Sequence, residues 1–358
     1  MKKTGIFIFL VLFLTAQTAG ANLLPVKVKG KYGYINKKGK ITIKPQFDFG
    51  SRFNNGVASV IIGRKYGFIN RSGSFLINPR FDYAWDFFNG VAKVLVGKKF
   101  GYINKRGKYL ASPQFDSASH KFVSGYALVK IGGPFGKWGF INKRGNYIIN
   151  PQFSKARHFS SGLAAVKKNK KWGYINKQGN FKITNHFHAA KSFSDNLAAV
   201  KVGDKWGYIN TQGTFVINPK FGEVRSFQNG LAAIRTKGKW GYINKKGKYV
   251  INPQFDALSS KISEKTARVM LGDKWGYIDN KGNLIIKPRF SKSTSFSEGL
   301  AAVQYNGKWG YINKNNKFVI SPVFDDAEPF ENGIAGIEKD GKWGYINKKN
   351  KYIWNPTK

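Results

Sequence analysis

Leu197-Ala198-Ala199-Val200-Lys201-Val202-Gly203-Asp204-Lys205-Trp206-Gly207-Tyr208-Ile209-Asn210-Thr211-Gln212-Gly213-Thr214-Phe215-Val216-Ile217-Asn218-Pro219-Lys220-Phe221 is one copy of a unit that recurs along this 358-residue chain. An aromatic-glycine pair at its centre marks the register. It returns at Tyr32, Tyr66, Phe100, Trp138, Trp172, Trp206, Trp240, Trp275, Trp309 and Trp343, at a spacing of 34 apart from one interval of 38 and one of 35. A fixed period of this length means one supersecondary unit copied and stacked, each copy burying a face it could not bury alone. The length therefore predicts one array, not two or three domains.

Within the unit, three short strands alternate with turns. The turn after the second strand repeats as Asn-x-x-Gly, from Asn36 to Gly39 through Asn244 to Gly247, which fits a type I turn closing on a left-handed residue. In the last two copies the glycine becomes Asn316 and Asn350, the side chain that best tolerates that conformation. Thirteen residues after nine of the ten aromatics comes a proline, Asn185 being the exception, and it should end the third strand or mark a sheet edge. Two residues on stands a phenylalanine in nine copies, and a second aromatic such as Phe53, Phe159, Phe227 or Phe330 follows six residues later. The connector should thus be an ordered loop or a short helical turn pinned by two rings. Trp206 and Tyr208 point to one face of their strand and Ile209 to the other, so both faces are apolar and both should be covered. The aromatic-glycine pair then reads as a packing device between adjacent copies, the ring filling space and the glycine making it.

Lys-Trp-Gly-Tyr-Ile-Asn-Lys followed by glycine, an apolar strand, Pro-x-Phe-Asp and Gly-Leu-Ala-Ala-Val resembles the bacterial WG-containing repeat family, also called KWG repeats. The resemblance spans Leu23 to Pro356, with Tyr32, Tyr66 and Phe100 in place of tryptophan in the first three copies. It implies a short β-rich repeat and supplies no catalytic residue to carry over. The expected fold is all-β: a tandem array of about ten three-stranded antiparallel meanders over residues 22–358. An open superhelical stack is favoured, because no swapped strand is evident and ten blades are many for one ring; a closed propeller-like ring or two half-arrays are the alternatives. Irregularities near 132–135 and 259–268 are candidate boundaries between half-arrays.

The N-terminus carries Lys2 and Lys3, an apolar run from Ile6 to Leu14 and Ala19-Gly20-Ala21, the pattern of a secretory signal peptide over residues 1–21 cleaved near Ala21/Asn22. The apolar run is short for a membrane span, so the mature chain is expected to have none and to be periplasmic, cell-surface or secreted. There is no cysteine, so stability outside the cytoplasm must come from packing without disulfides, and thiol chemistry is excluded.

Charge is the second strong signal: the formal net charge is +43. From Asn22 to Ser194 there are 32 basic and four acidic residues, against 27 and 14 from Asp195 to Lys358. Basic residues cluster beside turns at Lys37, Lys38 and Lys40, at Lys105, Arg106 and Lys108, at Lys143 and Arg144, at Lys167, Lys168, Lys170 and Lys171, and at Lys245, Lys246 and Lys248. Repeated at the period of the unit, these positions should form a basic ridge. They are the candidate binding residues for an anionic polysaccharide, lipopolysaccharide, a cell-wall polymer or another envelope or host partner. A solvated rim that keeps sheet edges unpaired is the plain alternative, and it leaves a structural spacer or protein-interaction scaffold as the competing function. Nucleic acid is expected only if extracellular, since the recurring aromatics occupy template positions typical of a core and no nucleic-acid signature is present.

Catalysis finds little support, because copied positions do not make a unique constellation. His186 and His188 could share one strand face, but without a third ligand they read as replacements of the template Gln and Asp. The acidic cluster Asp325, Asp326, Glu328 and Glu331 reads as a solvated loop or as counter-charge to a basic neighbour. No metal, cofactor or enzymatic activity is expected.

Overall fold

The sixth repeat shows how the unit folds. Ala198–Val202, Lys205–Ile209 and Phe215–Phe221 pair antiparallel in sequence order, as expected, but a fourth strand of two residues, Ala189–Ala190, adds to the free edge of the first. It belongs to the connector, which is extended and not helical. The reason is hydrogen bonding: the His188 and Lys191 amides donate to the Lys201 and Ala199 carbonyls at 2.9 Å, satisfying a sheet edge that would otherwise be open. Each connector thus leaves one sheet at its third strand and enters the next as a short strand. The computed structural model describes residues 23–259 and 262–355, and over them nine sheets are four-stranded while the first, Leu24–Val28, Lys31–Ile35 and Ile41–Phe47, has three strands. The expected signal peptide lies outside the described residues, and so does Pro356.

Alternation along the second strand distributes the core. Tyr208 packs with Ile217 and Phe221 of its own sheet and with Val224, Phe227, Ile234 and Ile243 of the next. Ile209 turns the other way, into the cluster that holds Tyr174, Phe187 and Phe193 of the preceding repeat. Both faces are covered, as a doubly apolar strand requires.

Sheet-on-sheet contact of this kind continues round a circuit. The array closes into a ten-bladed β-propeller, the alternative architecture and not the favoured open stack. Leu24, Val26 and Ile35 of the first blade pack against Ile334, Tyr345, Ile353 and Trp354 of the last. Tyr345 Oη donates to the Pro25 carbonyl at 3.0 Å, and Arg52 pairs with Glu328 and Glu331. The acidic cluster is thus in part counter-charge across the seam. Among the described residues no swapped strand is needed to bring the first and last blades into contact. Apolar residues of the first blade's strands meet those of the last blade directly, although the first sheet has one strand fewer than the others. The irregular segments are no boundary either. The extra residues at Gly132 to Gly136 form a 3₁₀ turn, Gly133–Phe135, at the tip of a hairpin, and Lys265 adopts φ 63° where most copies have glycine.

The Asn-x-x-Gly turn is as expected. Asn210 Oδ1 accepts from the Gln212 and Thr214 amides at 3.1 and 3.0 Å, Gly213 has φ 90°, and Asn316 and Asn350 take φ 62° and 59°. Asn210→Ala removes an acceptor shared by two amides and is expected to cost about 1–2 kcal/mol, measured by denaturant unfolding.

The aromatic-glycine pair works differently from expectation. Trp206 pairs with Phe221 and Tyr208 with Ile217, so Asn218, Pro219 and Lys220 bulge opposite the single residue Gly207. A Cβ on Gly207 would lie 2.5 Å from the Ile217 carbonyl oxygen and 2.7 Å from Pro219 N. The glycine therefore admits the third strand of its own blade, not a neighbouring copy. Pro219 fits because the bulge sits on an edge strand, where no ladder bond is lost.

Candidate functional site

Every second-to-third-strand turn leaves its blade at the same end, so the ten turns line one face of the ring and the first-to-second-strand hairpins line the other. Each turn rests on the third strand of the preceding blade: a Cβ on Gly73 would lie 3.0 Å from Ile43 Cγ2, and Gly107 and Gly213 meet Ile77 and Ile183 in the same way. Lys37, Lys38, Lys40, Lys105, Arg106, Lys108, Lys143, Arg144, Lys245, Lys246 and Lys248 share this face and are all exposed. Lys167, Lys168, Lys170 and Lys171 do not join them. They form the tip of a first hairpin, with Lys168 opposite Lys171, at the other end of blade 5. The similarity of composition had hidden a difference of turn, because both hairpin ends are lysine-rich.

Across the ten turns, the two central positions and the position after the glycine hold 19 Lys or Arg residues and no Asp or Glu. In the later blades some of these cations are neutralised from the connectors: Lys314 pairs with Glu264 and Lys348 with Glu298, both at 3.0 Å. Among the described residues, none of the eleven turn-face candidates named above has an acidic group within 4 Å.

A second set of cations was not anticipated. Lys93 Nζ lies 3.7 Å from the centre of the Trp85 ring and 4.7 Å from that of Phe100, and donates to the Ala118 carbonyl at 3.1 Å. Arg157, Lys191, Arg225 and Arg268 stand over Trp172, Trp206, Trp240 and Trp275 at 5.5, 5.4, 5.0 and 5.0 Å. Arg157 and Lys191 also donate to the Ala190 and Val224 carbonyls of the next short strand, at 3.0 and 2.6 Å. These cations bind blade to blade, so the aromatic of each pair serves as a platform for a protein cation. Burial pushes the Lys93 ammonium down to about 8 and lowers Lys191 as well. A basic residue 15 or seven positions before the aromatic was the signal in the sequence.

The histidines fill template roles. His188 stands where other copies have aspartate: the Gly203 amide donates to its Nδ1 at 3.0 Å, and Lys171 Nζ lies 2.9 Å from Nε2. His186 Nδ1 is 2.9 Å from the Thr184 carbonyl oxygen. No group of three or more potential metal ligands occurs among the described residues, and no helix there is long and apolar enough to cross a membrane.

No curated protein matches the chain. Among solved structures it is similar to a eukaryotic initiation factor at 12% identity, covering 84% of this chain and 95% of that one with a TM-score of 0.56, a likeness of fold alone. Hsv2p of Kluyveromyces lactis, at 13% identity, covers 68% of this chain and 98% of its own with a TM-score of 0.39. The dihydro-heme d1 dehydrogenase NirN, at 12% identity, covers 71% and 70% with a TM-score of 0.42. Within the chain, residues 32–66, 66–100, 100–133, 138–172, 172–206, 206–240, 240–275, 275–309 and 309–343 match the model of the WG containing repeat, the same unit that the turns, bulge and paired aromatics define, and the chain belongs to that family.

Proposed function

We propose that this tandem β-repeat propeller is an exported, non-enzymatic binding protein whose turn face holds an anionic polymer of the envelope or of a host. The observation that carries the reading is the 19 Lys and Arg residues at turn positions that hold no carboxylate. Closely spaced cations on a rigid ring match the closely spaced charges of a polyanion, and their attraction is screened by salt. The first blades should bind more strongly, because there the turn cations lack the connector carboxylates that pair with Lys314 and Lys348. Export rests on the N-terminal pattern of residues 1–21. A protein-interaction scaffold is the competing reading, supported by the propeller-like fold.

Heparin chromatography of the mature protein tests the proposal. Retention is expected beyond about 0.15 M salt, where exposed pairs a Debye length apart are already screened. Changing Lys37, Lys38, Lys105, Arg106, Lys143 and Arg144 to Glu is expected to abolish retention, whereas Lys167, Lys168, Lys170 and Lys171 to Glu, on the opposite face, should shift elution little. Shifts that follow only the number of charges removed would refute a turn-face site.

A further inference from the structure

On the hairpin face, the repeat builds a slot for one negative charge at the joint between blades. In five joints a connector aspartate fills it. Its first oxygen takes the lysine before the aromatic-glycine pair: Lys65–Asp82, Lys99–Asp116 and Lys308–Asp325 lie at 2.6, 2.5 and 2.5 Å, and Lys31–Asp48 and Lys239–Asp256 pair in the same way. Its second oxygen accepts from a hairpin amide of the next blade, Gly63 or Gly272 at 2.9 Å, Gly97 or Asp340 at 2.6 Å, or Gly133 at 2.8 Å. The slot favours an anion. All five carboxyls are held below their ordinary range, by the lysine first and by the hairpin amide second.

Between blades 4 and 5 the donors are kept and the carboxylate is replaced. Ser154 stands at the aspartate position, between Lys137 and the lysine-rich hairpin of blade 5, and its hydroxyl donates to the Lys167 carbonyl at 3.0 Å. The two hairpin residues, Asn169 and Lys170, take φ 50° and 62°, and successive amides in such a turn make a concave anion nest. Among the described residues neither amide has a hydrogen-bond partner, and Lys137 has no ion-pair partner. No Asp or Glu occurs from Ser117 to Ser194, and every Asp and Glu of the chain lies among the described residues, so no side-chain carboxylate of the chain fills the slot. The other departures from aspartate are compensated. His188 keeps both contacts, with the Gly203 amide at 3.0 Å and Lys171 at 2.9 Å. Beside Gly222 and Ser291, Glu223 pairs with Arg235 at 2.8 Å and Asp273 with Lys274 at 3.1 Å.

We propose that this slot is a phosphate-monoester site, in which a phosphate group takes the place of the aspartate carboxylate, one oxygen on the Lys137 ammonium and another on the Asn169 and Lys170 amides. A monoester carries close to two negative charges at pH 7, against one for a carboxylate. The local charge matches the difference: where the first strands of other blades end on Ile62, Val96 and Val202, that of blade 5 ends on Lys168, so Lys137, Lys168 and Lys170 all belong to the elements that bound the slot. The Lys167 to Lys171 cluster, which the turn face leaves out, thereby gains a role. A single slot on the hairpin face adds little to the retention of a polymer held along the turns, so either reading can fail alone.

Titration of the nitrogen-15-labelled full chain with phenyl phosphate at constant ionic strength, followed by amide chemical shifts, tests the assignment. Saturable shifts are expected at Asn169 and Lys170. Ser154→Asp restores the carboxylate of the other joints and should weaken binding at least tenfold. Lys155→Asp removes more positive charge one position along, on the other side of the strand, and should weaken it less than threefold. The reciprocal variant Asp82→Ser opens the joint between blades 2 and 3 and should add saturable shifts at Gly97. Shifts that do not saturate with millimolar phenyl phosphate, equal saturation by singly charged phenyl sulfate, or equal losses in Ser154→Asp and Lys155→Asp would overturn the site. Sedimentation with phosphatidylcholine vesicles, with and without phosphatidic acid, separates the sources of the group. Co-sedimentation that needs phosphatidic acid and is lost in Ser154→Asp assigns a lipid headgroup, and phenyl phosphate binding without it assigns a soluble ester.

Discussion

Replacing Gly207 by alanine is expected to destabilise the propeller by roughly 3 kcal/mol or more, among the largest effects available to a single methyl group. The added Cβ would stand 2.5 Å from the Ile217 carbonyl oxygen and 2.7 Å from Pro219 N. Both are backbone atoms, so no side chain can rotate away, and relief requires the bulge to open. Opening it would separate Trp206 from Phe221 and disturb the cluster that joins blades 6 and 7. Gly230 is the control. It has φ 82° but no atom within 4 Å of an added Cβ, so Gly230→Ala should cost only about 1 kcal/mol of backbone strain. Urea unfolding of the two variants measures the difference. Equal losses would show that glycine is required for conformation alone and that the close approach of the third strand is immaterial.

Alkaline pH is expected to unfold the protein steeply above about pH 10, the ordinary value for tyrosine. Tyr34, Tyr102, Tyr174, Tyr208, Tyr277 and Tyr311 are fully buried, and burial raises each hydroxyl well above its usual range. Tyr242 and Tyr345 are pushed up to about 12 by the same cause. A raised value in the folded state means that the unfolded chain loses protons first, so stability is intact below pH 10 and falls as pH rises through the folded values. At pH 11 each tyrosine removes about 1.4 kcal/mol, and eight together remove roughly 10 kcal/mol, comparable to the whole stability of an ordinary domain. The sign is opposite for Lys93, whose lowered value makes stability rise between about pH 8 and 10.5. Circular dichroism and phenolate absorbance followed together should show one cooperative transition. Gradual ionisation of the buried tyrosines with the fold retained would contradict this account.

Much of the unit was legible because it depends on local chemistry. Asn210 and Gly213 specify their turn through bonds within five residues, and Tyr208 and Ile209 declare two apolar faces by alternation alone. The extended connector was harder to foresee. Its segment at His188 to Lys191 is a strand only because the next blade offers carbonyls to its amides, a partner that the local sequence does not contain. The role of Gly207 was misassigned for a related reason: strand propensity does not reveal a bulge, which appears only once Trp206 is seen opposite Phe221 and Tyr208 opposite Ile217. Of the candidate binding residues, Lys143 and Lys245 were grouped with Lys167 by composition, and only the order of hairpins separates the two faces.

By itself, the sequence determined the repeat, its all-β character, the turns and the positions of charge, since each follows from periodicity and from side chains acting on their own neighbours. Tertiary structure alone decided that the array closes. Closure depends on a small rotation at each interface, set by how side chains such as Tyr208 and Val224 interlock, and these rotations bring Leu24 and Val26 against Ile353 and Trp354. The same circuit brings Arg52 of the second blade against Glu328 of the last, a juxtaposition across most of the chain that no local pattern encodes.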